Sequence, residues 1–549
     1  MQSLIVSLEN RSFLIDRDII STQSTVFDDF FYSTELYEIF IQGVITNKAE
    51  LLQAYQMKNF IKDFSAKLYS DKLILKQLRG SFYGYIYDKG ANCIYIFNDH
   101  LGTKNIYYKV GKSKIIVSNY FNSFYTESPK LSASSVKMLL SYGYMLDDYT
   151  ILEDVKKLKP GSIIKVNLDC EIEVEQYYKL SSKKIAIDDF SEDEIISRLD
   201  FLFRNAVTRQ FEADVQLGKR HLVGLSGGLD SRMTSMVANE MGYKNQMNFT
   251  FSQSDYLDEL IPKKISSDLR HEWIFKSLDN GIFLKDIDFI TSISGGNVLY
   301  FGLAHTNSLM KVLNFQNFGI IHTGQLGDVV IGSFISSLDR SELNSLGGAY
   351  SKKGINLVGI DRKFDSFEEK EIEMFYQRGL NGANSGLITS NYYAETLSPF
   401  YDIDLLDYCF SIPISLRMDH RLYRKWILKM YPKAANYVWE KTGRNLKSEP
   451  FYISILGRKI PIKDVVPIIF KKIFNKNRKL PTKDNMNPIE YWYHTNSDLR
   501  EFKDNYYCNY IDKVEDVELR SICKELYING NAIEKNQVLS FLSVIKNYF

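Results

Sequence analysis

The segment GLSGGLDSRMT, Gly224 to Thr234, constrains this chain more than any other. It closes the short apolar run HLVGL (His221–Leu225) and opens SRMTSMVANEMGY. There Met233, Met236, Val237 and Met241 recur at helical spacing and Gly242 supplies a stop. Strand, glycine turn and helix in this order begin a βαβ unit. MNFTFS (Met247–Ser252) and FGIIHTG (Phe318–Gly324) read as two further strands, the latter again followed by glycines and an Asp. The rhythm predicts a doubly wound parallel sheet with ligands at the carboxyl ends of its strands, where both Gly-rich turns fall.

The turn is not a Walker A loop, because no Lys follows its glycines. Ser226, Gly227 and Gly228 lie between a strand and a helix N-terminus, where backbone N–H groups and the helix dipole favour phosphate oxygens. Ser226 and Ser231 add hydroxyls. Asp230 beside a polyphosphate is repulsive unless a divalent cation lies between them, an arrangement that suits Mg²⁺. A bare tight turn would need the glycines but neither the hydroxyls nor the carboxylate.

Before this unit the pattern is different. Tyr37–Thr46, Ser81–Asp88, Cys93–Asp99, Asn105–Val110 and Ser113–Asn119 are short, aromatic and β-branched runs, close enough together for an antiparallel sheet or sandwich. Asn47–Met57 interrupts them with a helical pattern. The polar stretch Ser181–Glu194 reads as a linker, and the helical spacing of Leu199, Leu202, Phe203 and Val207 follows it. Beyond about residue 430 the pattern is helical, with a basic segment, Leu456–Asp484, holding nine Lys and Arg against two Asp.

S-G-G-x-D-S resembles the signature of the PP-loop ATP pyrophosphatases. Four other pieces resemble the asparagine synthetase family in order and spacing: Gln42–Leu51, Leu78–Tyr108, Ile151–Val166 and Thr396–Pro413. The resemblance implies an N-terminal-nucleophile-hydrolase-like β-sandwich with helices, followed by a doubly wound parallel-sheet synthetase domain, an α/β protein. Expected boundaries are 1–185 for a degenerate glutamine amidotransferase-like domain, 195–450 for the ATP-pyrophosphatase domain, and 451–549 for a helical extension. The implied activity is a ligase that adenylates a carboxylate with ATP, releases pyrophosphate, and passes the acyl group to ammonia or a substrate amine.

By the same resemblance ATP is gripped by Leu225, Ser226, Gly227, Gly228, Asp230, Ser231, Phe251, Thr323 and Gly324, with Mg²⁺ on Asp230 and Asp328. Lys441 is the candidate for a transition-state Lys, with Lys447 in reserve, and Glu395 is a candidate for the acceptor site. Gln325 stands where asparagine synthetases place a Glu and β-lactam synthetase a Tyr. A neutral amide is a poor general base, so the substrate is expected to differ from aspartate plus ammonia. Arg232 extends the loop to S-G-G-L-D-S-R, a form associated with divergent members. Glutamine-dependent members begin Met-Cys, whereas this chain begins Met1-Gln2-Ser3, and an inactive glutaminase is expected.

Substrates left open are a small-molecule or peptide carboxylate with an amine or ammonia donor, including ring closure of the type made by β-lactam synthetase or lasso peptide cyclases. A non-catalytic ATP-binding homologue is the bland alternative. A nucleic-acid partner is disfavoured by balanced charge, 68 basic against 67 acidic residues. Five scattered cysteines without C-x-x-C argue against zinc and disulfides and suit the cytoplasm. Neither a signal peptide nor a transmembrane segment is expected. The basic segment suits peripheral contact with a membrane surface or an acidic substrate. A homodimer is compatible with the resemblance.

Overall fold

The computed structural model describes residues 2–9, 11–19, 29–112, 114–126, 128–181, 183–185, 190–335, 349–357, 367, 369–448, 452–455, 458–461 and 481–549. Its first eleven strands are β1 (Gln2–Glu9), β2 (Ser12–Ile19), β3 (Phe30–Ser33), β4 (Tyr37–Ile45), β5 (Gly80–Asp88), β6 (Cys93–Asn98), β7 (Tyr107–Val110), β8 (Lys114–Ser118), β9 (Val155–Lys157), β10 (Ser162–Asn167) and β11 (Ile172–Gln176). They form two antiparallel sheets, ordered β2-β1-β8-β7-β9 and β11-β10-β6-β5-β4-β3. Leu4, Val6 and Leu8 alternate along β1 and, with Ile115 and Val117 of β8, meet Tyr85, Ile94, Ile96, Ile164 and Val166 of the second sheet. The expected sandwich is therefore present. The five aromatic runs became β4 to β8 with shifts of one or two residues at their ends.

Helices cover both outer faces. Lys48–Ala54 and Phe60–Ser70 pack on the second sheet through Leu51, Phe64 and Leu68. The first sheet sends Tyr107, Ile116 and Val155 into a core shared with helices Ala133–Ser141, Ile287–Ser294 and Ala532–Tyr548. Val538, Leu539, Phe541 and Leu542 of that last helix are fully buried there, each stabilising the core by about 1.5–3 kcal/mol. The C-terminal helices thus close the face of a sheet built from the first 160 residues.

The later strands are β12 (Arg220–Gly224), β13 (Gln246–Ser252), β14 (Glu272–Ser277), β15 (Phe318–His322) and β16 (Thr396–Leu397). All pair in parallel, in the order β14-β13-β12-β15-β16. Strand order reverses between β12 and β15, so this is the doubly wound sheet expected, and the switch point lies between those two strands. Below it, Asp214 accepts from His221 at 2.8 Å and His322 at 2.7 Å, pinning the long helix Glu192–Gln216 to both central strands. Asp214, His221 and His322 are also the one buried cluster with metal-ligand proximity among the described residues; each histidine spends one ring nitrogen on Asp214, and Nδ1 of His322 has no hydrogen-bond partner among them.

Two expectations are corrected. The linker ends at Ser191, because Ser191 and Glu194 form a capping box that starts the helix at Glu192. The tail is not helical throughout: Tyr452–Ile455 and Arg458–Pro461 pair as an antiparallel hairpin before the helices resume at Ile489. Most of the basic segment, residues 462–480, lies outside the described residues. Among those described, no helix is long and apolar enough to cross a membrane.

Candidate active site

The turn after β12 folds back on itself through its hydroxyls. Ser226 N donates to Ser231 Oγ at 2.9 Å, Gly228 N to Ser226 Oγ at 3.2 Å, and the two hydroxyls are 3.0 Å apart. Gly227 N donates to Asp258 Oδ1 at 2.7 Å. Asp258 sits in the first turn of helix Leu257–Leu269, at the carboxyl end of β13. Burial pushes its pKa up to about 6 against the lowering by the Gly227 N–H, and Glu440 raises it further.

The turn after β15 brings the second carboxylate. Asp328 N donates to Asp230 Oδ2 at 2.9 Å, and Tyr423 donates its hydroxyl to Asp230 Oδ1 at 2.8 Å. Two glycines make this approach. A Cβ on Gly324 would fall 2.2 Å from Ser231 N, and one on Gly327 would fall 2.7 Å from Asp230 Cγ. Burial, then the neighbouring Asp328, push the Asp230 carboxyl well above the ordinary carboxylate range. Asp328 is reached by solvent from the cavity, yet the surrounding protein raises its pKa too, opposed by the cations of Lys441 and Arg378. Two carboxylates destabilised in this way, side by side, form a donor set that a divalent cation fits.

Lys441 belongs to the same centre. Its Nζ lies 3.2 Å from His420 Nε2, and its charge acts on both aspartates. Its chain segment is tied to the first loop by Arg232, which is fully buried. That guanidinium donates to the carbonyls of Gly227 at 3.1 Å, Ala434 at 3.2 Å, Tyr437 at 3.2 Å and Val438. Arg232 therefore couples the glycine turn to the strand of chain that carries Lys441.

A cavity of about 640 Å³ opens on Asp230, Gly324, Gln325 and Asp328. Gln325 donates its side-chain amide to the Ala383 carbonyl at 2.6 Å, and its backbone carbonyl accepts from Ser398 Oγ at 2.9 Å. Thr323 closes the strand end through its N–H to Leu397 O at 2.8 Å. Leu225 is buried behind the loop, and Phe251 is half-buried with its ring 4.9 Å from His305. Glu395 is not brought to this cavity. Its carboxylate pairs with Lys104 at 2.5 Å, joining the parallel sheet to the N-terminal sandwich. Lys447 is an exposed residue with no described bond at the site. Tyr423, Asp258 and Arg378 were missed by sequence reasoning. Only Asp258 left a trace, an acid just past the end of a parallel strand.

At the other end of the chain, Ser3 lies in β1, paired with Asp18 of β2, and Cys93 is buried in β6.

An antiparallel sandwich joined to a doubly wound sheet, with paired carboxylates at the switch point, defines an α/β protein. Residues 28–178 match the glutamine amidotransferase domain family. The chain is 23% identical over 269 residues to asparagine synthetase (glutamine-hydrolyzing) 1 of Bacillus subtilis (strain 168), covering 47% of this chain and 41% of that protein. It is 24% identical over 319 residues to asparagine synthetase (glutamine-hydrolyzing) 2 of Methanocaldococcus jannaschii, covering 55% and 59%. It is also 30% identical over 160 residues to an amidase of Gibberella zeae, covering 29% and 23%. The chain thus spans less than two thirds of the length of each of these relatives. Over these stretches it is similar, at low identity, to proteins of the asparagine synthetase family.

Proposed function

We propose that the protein is an ATP-dependent ligase: a carboxylate oxygen attacks the α-phosphorus of ATP, pyrophosphate leaves, and an amine nitrogen then attacks the acyl carbon and releases AMP. The observation that carries this reading is the meeting of Asp230 and Asp328 at the switch point, 2.9 Å apart through a backbone N–H. In this reading both aspartates hold Mg²⁺, which would neutralise phosphate charge. Ser226, Gly227, Gly228 and Ser231 receive the leaving pyrophosphate with their N–H and hydroxyl groups. Leu225, Phe251, Thr323 and Gly324 border the rest of the nucleotide. Lys441 adds a cation where negative charge develops on the leaving pyrophosphate and the oxyanion. Gln325 orients the acceptor and takes no proton, so the amine enters as a free base.

Glu395 is assigned a positioning role, through Lys104, rather than contact with the acceptor. We assign residues 1–185 to a degenerate amidotransferase-like unit, 195–450 to the synthetase and 451–549 to the extension. Neither cysteine of the first unit, Cys93 buried in β6 and Cys170 between β10 and β11, stands on β1, and the unit is proposed to have lost glutaminase activity. Glutamate release from glutamine would overturn that part.

The whole reading is tested by pyrophosphate release. It should require ATP, Mg²⁺ and a carboxylate, and fall to background in Asp230→Ala. Formation of ADP instead would refute it. Intramolecular ring closure is a second reading, favoured by the cavity's volume of about 640 Å³. It predicts a product one water lighter than the substrate with no amine added.

A further inference from the structure

The charged side chains among the described lining of the large cavity are Asp230, Asp328 and Arg378. The aspartates have a part in the proposed reaction; Arg378 has none. Its guanidinium lies over the Phe334 ring, 4.3 Å from the centroid. Among the described residues no carboxylate stands within ion-pair distance of it. A guanidinium carbon held over a ring leaves N–H groups to donate to a planar oxyanion. The wall around it is apolar: Tyr144, Leu299, Leu303 and Phe334, with Tyr350 beside them. Tyr350 is 51% exposed and meets Phe301 edge-on at 5.7 Å. Gly382 makes room for Tyr144, since a Cβ there would come within 2.9 Å of the Tyr144 ring. None of these residues belongs to the parallel sheet or its two Gly-rich turns. An aspartate would leave most of the about 640 Å³ empty and would present nothing to an aromatic wall.

We propose that Arg378 anchors a second carboxylate of the acceptor substrate while Tyr144, Phe334 and Tyr350 hold an aromatic or apolar body. The acceptor is then a dicarboxylate larger than aspartate, such as an acidic amino acid acylated or peptide-linked at nitrogen. This rests on the ligase reading for the identity of the cavity as an acceptor site. The same guanidinium chemistry would also hold a nucleotide phosphate, and binding measurements separate the two sources.

The test uses calorimetric titration of the full chain, wild type and the variants Arg378→Gln and Tyr350→Ala. The probes are N-benzoyl-L-glutamate, hippurate, L-glutamate and, separately, Mg-ATP. Wild type should bind N-benzoylglutamate at least tenfold more tightly than either hippurate or glutamate. Arg378→Gln should erase the margin over hippurate while still binding Mg-ATP, and Tyr350→Ala should erase the margin over glutamate with the Kd of Mg-ATP unchanged. Equal binding of the three acids by wild type, or no binding of N-benzoylglutamate, overturns the proposal even if a variant fails to fold. So does an Arg378→Gln protein that loses Mg-ATP affinity and keeps the acids. Pyrophosphate release is followed in parallel. If it is absent while the binding pattern holds, the ligase reading falls and the dicarboxylate subsite stands.

Discussion

At the scale of single residues, the site is set by close approaches that leave almost no tolerance. Gly327 lets Asp230 and the Phe400 ring come within 2.7 Å of where a Cβ would be. Gly327→Ala should therefore fold, at a cost of about 1–3 kcal/mol, and lose pyrophosphate release by about 10²-fold, the usual effect of misplacing a reacting group by 1 Å. Steady-state kinetics beside a urea titration would check both. Asp258 makes a different prediction. Its folded pKa of about 6 lies above the unfolded carboxylate value, so its contribution to stability is present at low pH and is lost as pH rises through 6. Asp258→Asn still offers Gly227 N an acceptor oxygen. It should raise stability above pH 6 by about 1–3 kcal/mol and change nothing below pH 4. Of this centre, Asp230, Asp328 and the serines were legible because they sit in short contiguous motifs. Tyr423 and Arg378 were not, because each reaches the centre from an element remote in sequence, and no local pattern marks a tyrosine that will hydrogen-bond an aspartate 193 residues away.

At the scale of elements, the parallel sheet was legible from short apolar runs ending in glycines, and the aromatic strands from their period of two. Strand β14, with its mixed sequence EWIFKS, and the two-residue β16 carried too little periodicity to be found. Segment coupling was likewise invisible. Arg232 holds the carbonyls of Gly227, Ala434, Tyr437 and Val438 with one buried fork, so the glycine turn and the Lys441 segment move as a unit. Arg232→Met should orphan those carbonyls and destabilise the chain by about 2–5 kcal/mol. Arg232→Lys, which keeps the charge and loses the fork, should still fold and yet release pyrophosphate at least tenfold more slowly, with Lys441→Ala adding little in that background. A double-mutant cycle on kcat measures this coupling, and fully additive effects would sever the proposed link.

At the scale of the whole molecule, charge burial gives an acid limit. Burial depresses the pKa of His100 to about 3, of His271, His305 and His420 to about 4, and also lowers that of His322. All five stay neutral in the fold at pH values where the unfolded chain takes protons. Stability is therefore present above about pH 6.5 and falls as pH drops, at up to about 1.4 kcal/mol per pH unit for each His. His100, His271, His305 and His420 should together take up close to four protons on unfolding near pH 5, offset by the protons that Asp230 and Asp258 release, so calorimetry in two buffers should read a net uptake, and net release would contradict these burials. The sequence could not show where its last helices go. Val538, Leu539 and Phe541 share a core with Val136 and Leu139, roughly 400 residues earlier. At the ribosome's 5–20 residues per second that core must wait roughly 20–80 s for its second half. Through that interval the apolar face of the first sheet stands open, so a newborn chain needs a chaperone's shelter long after its N-terminal strands have emerged.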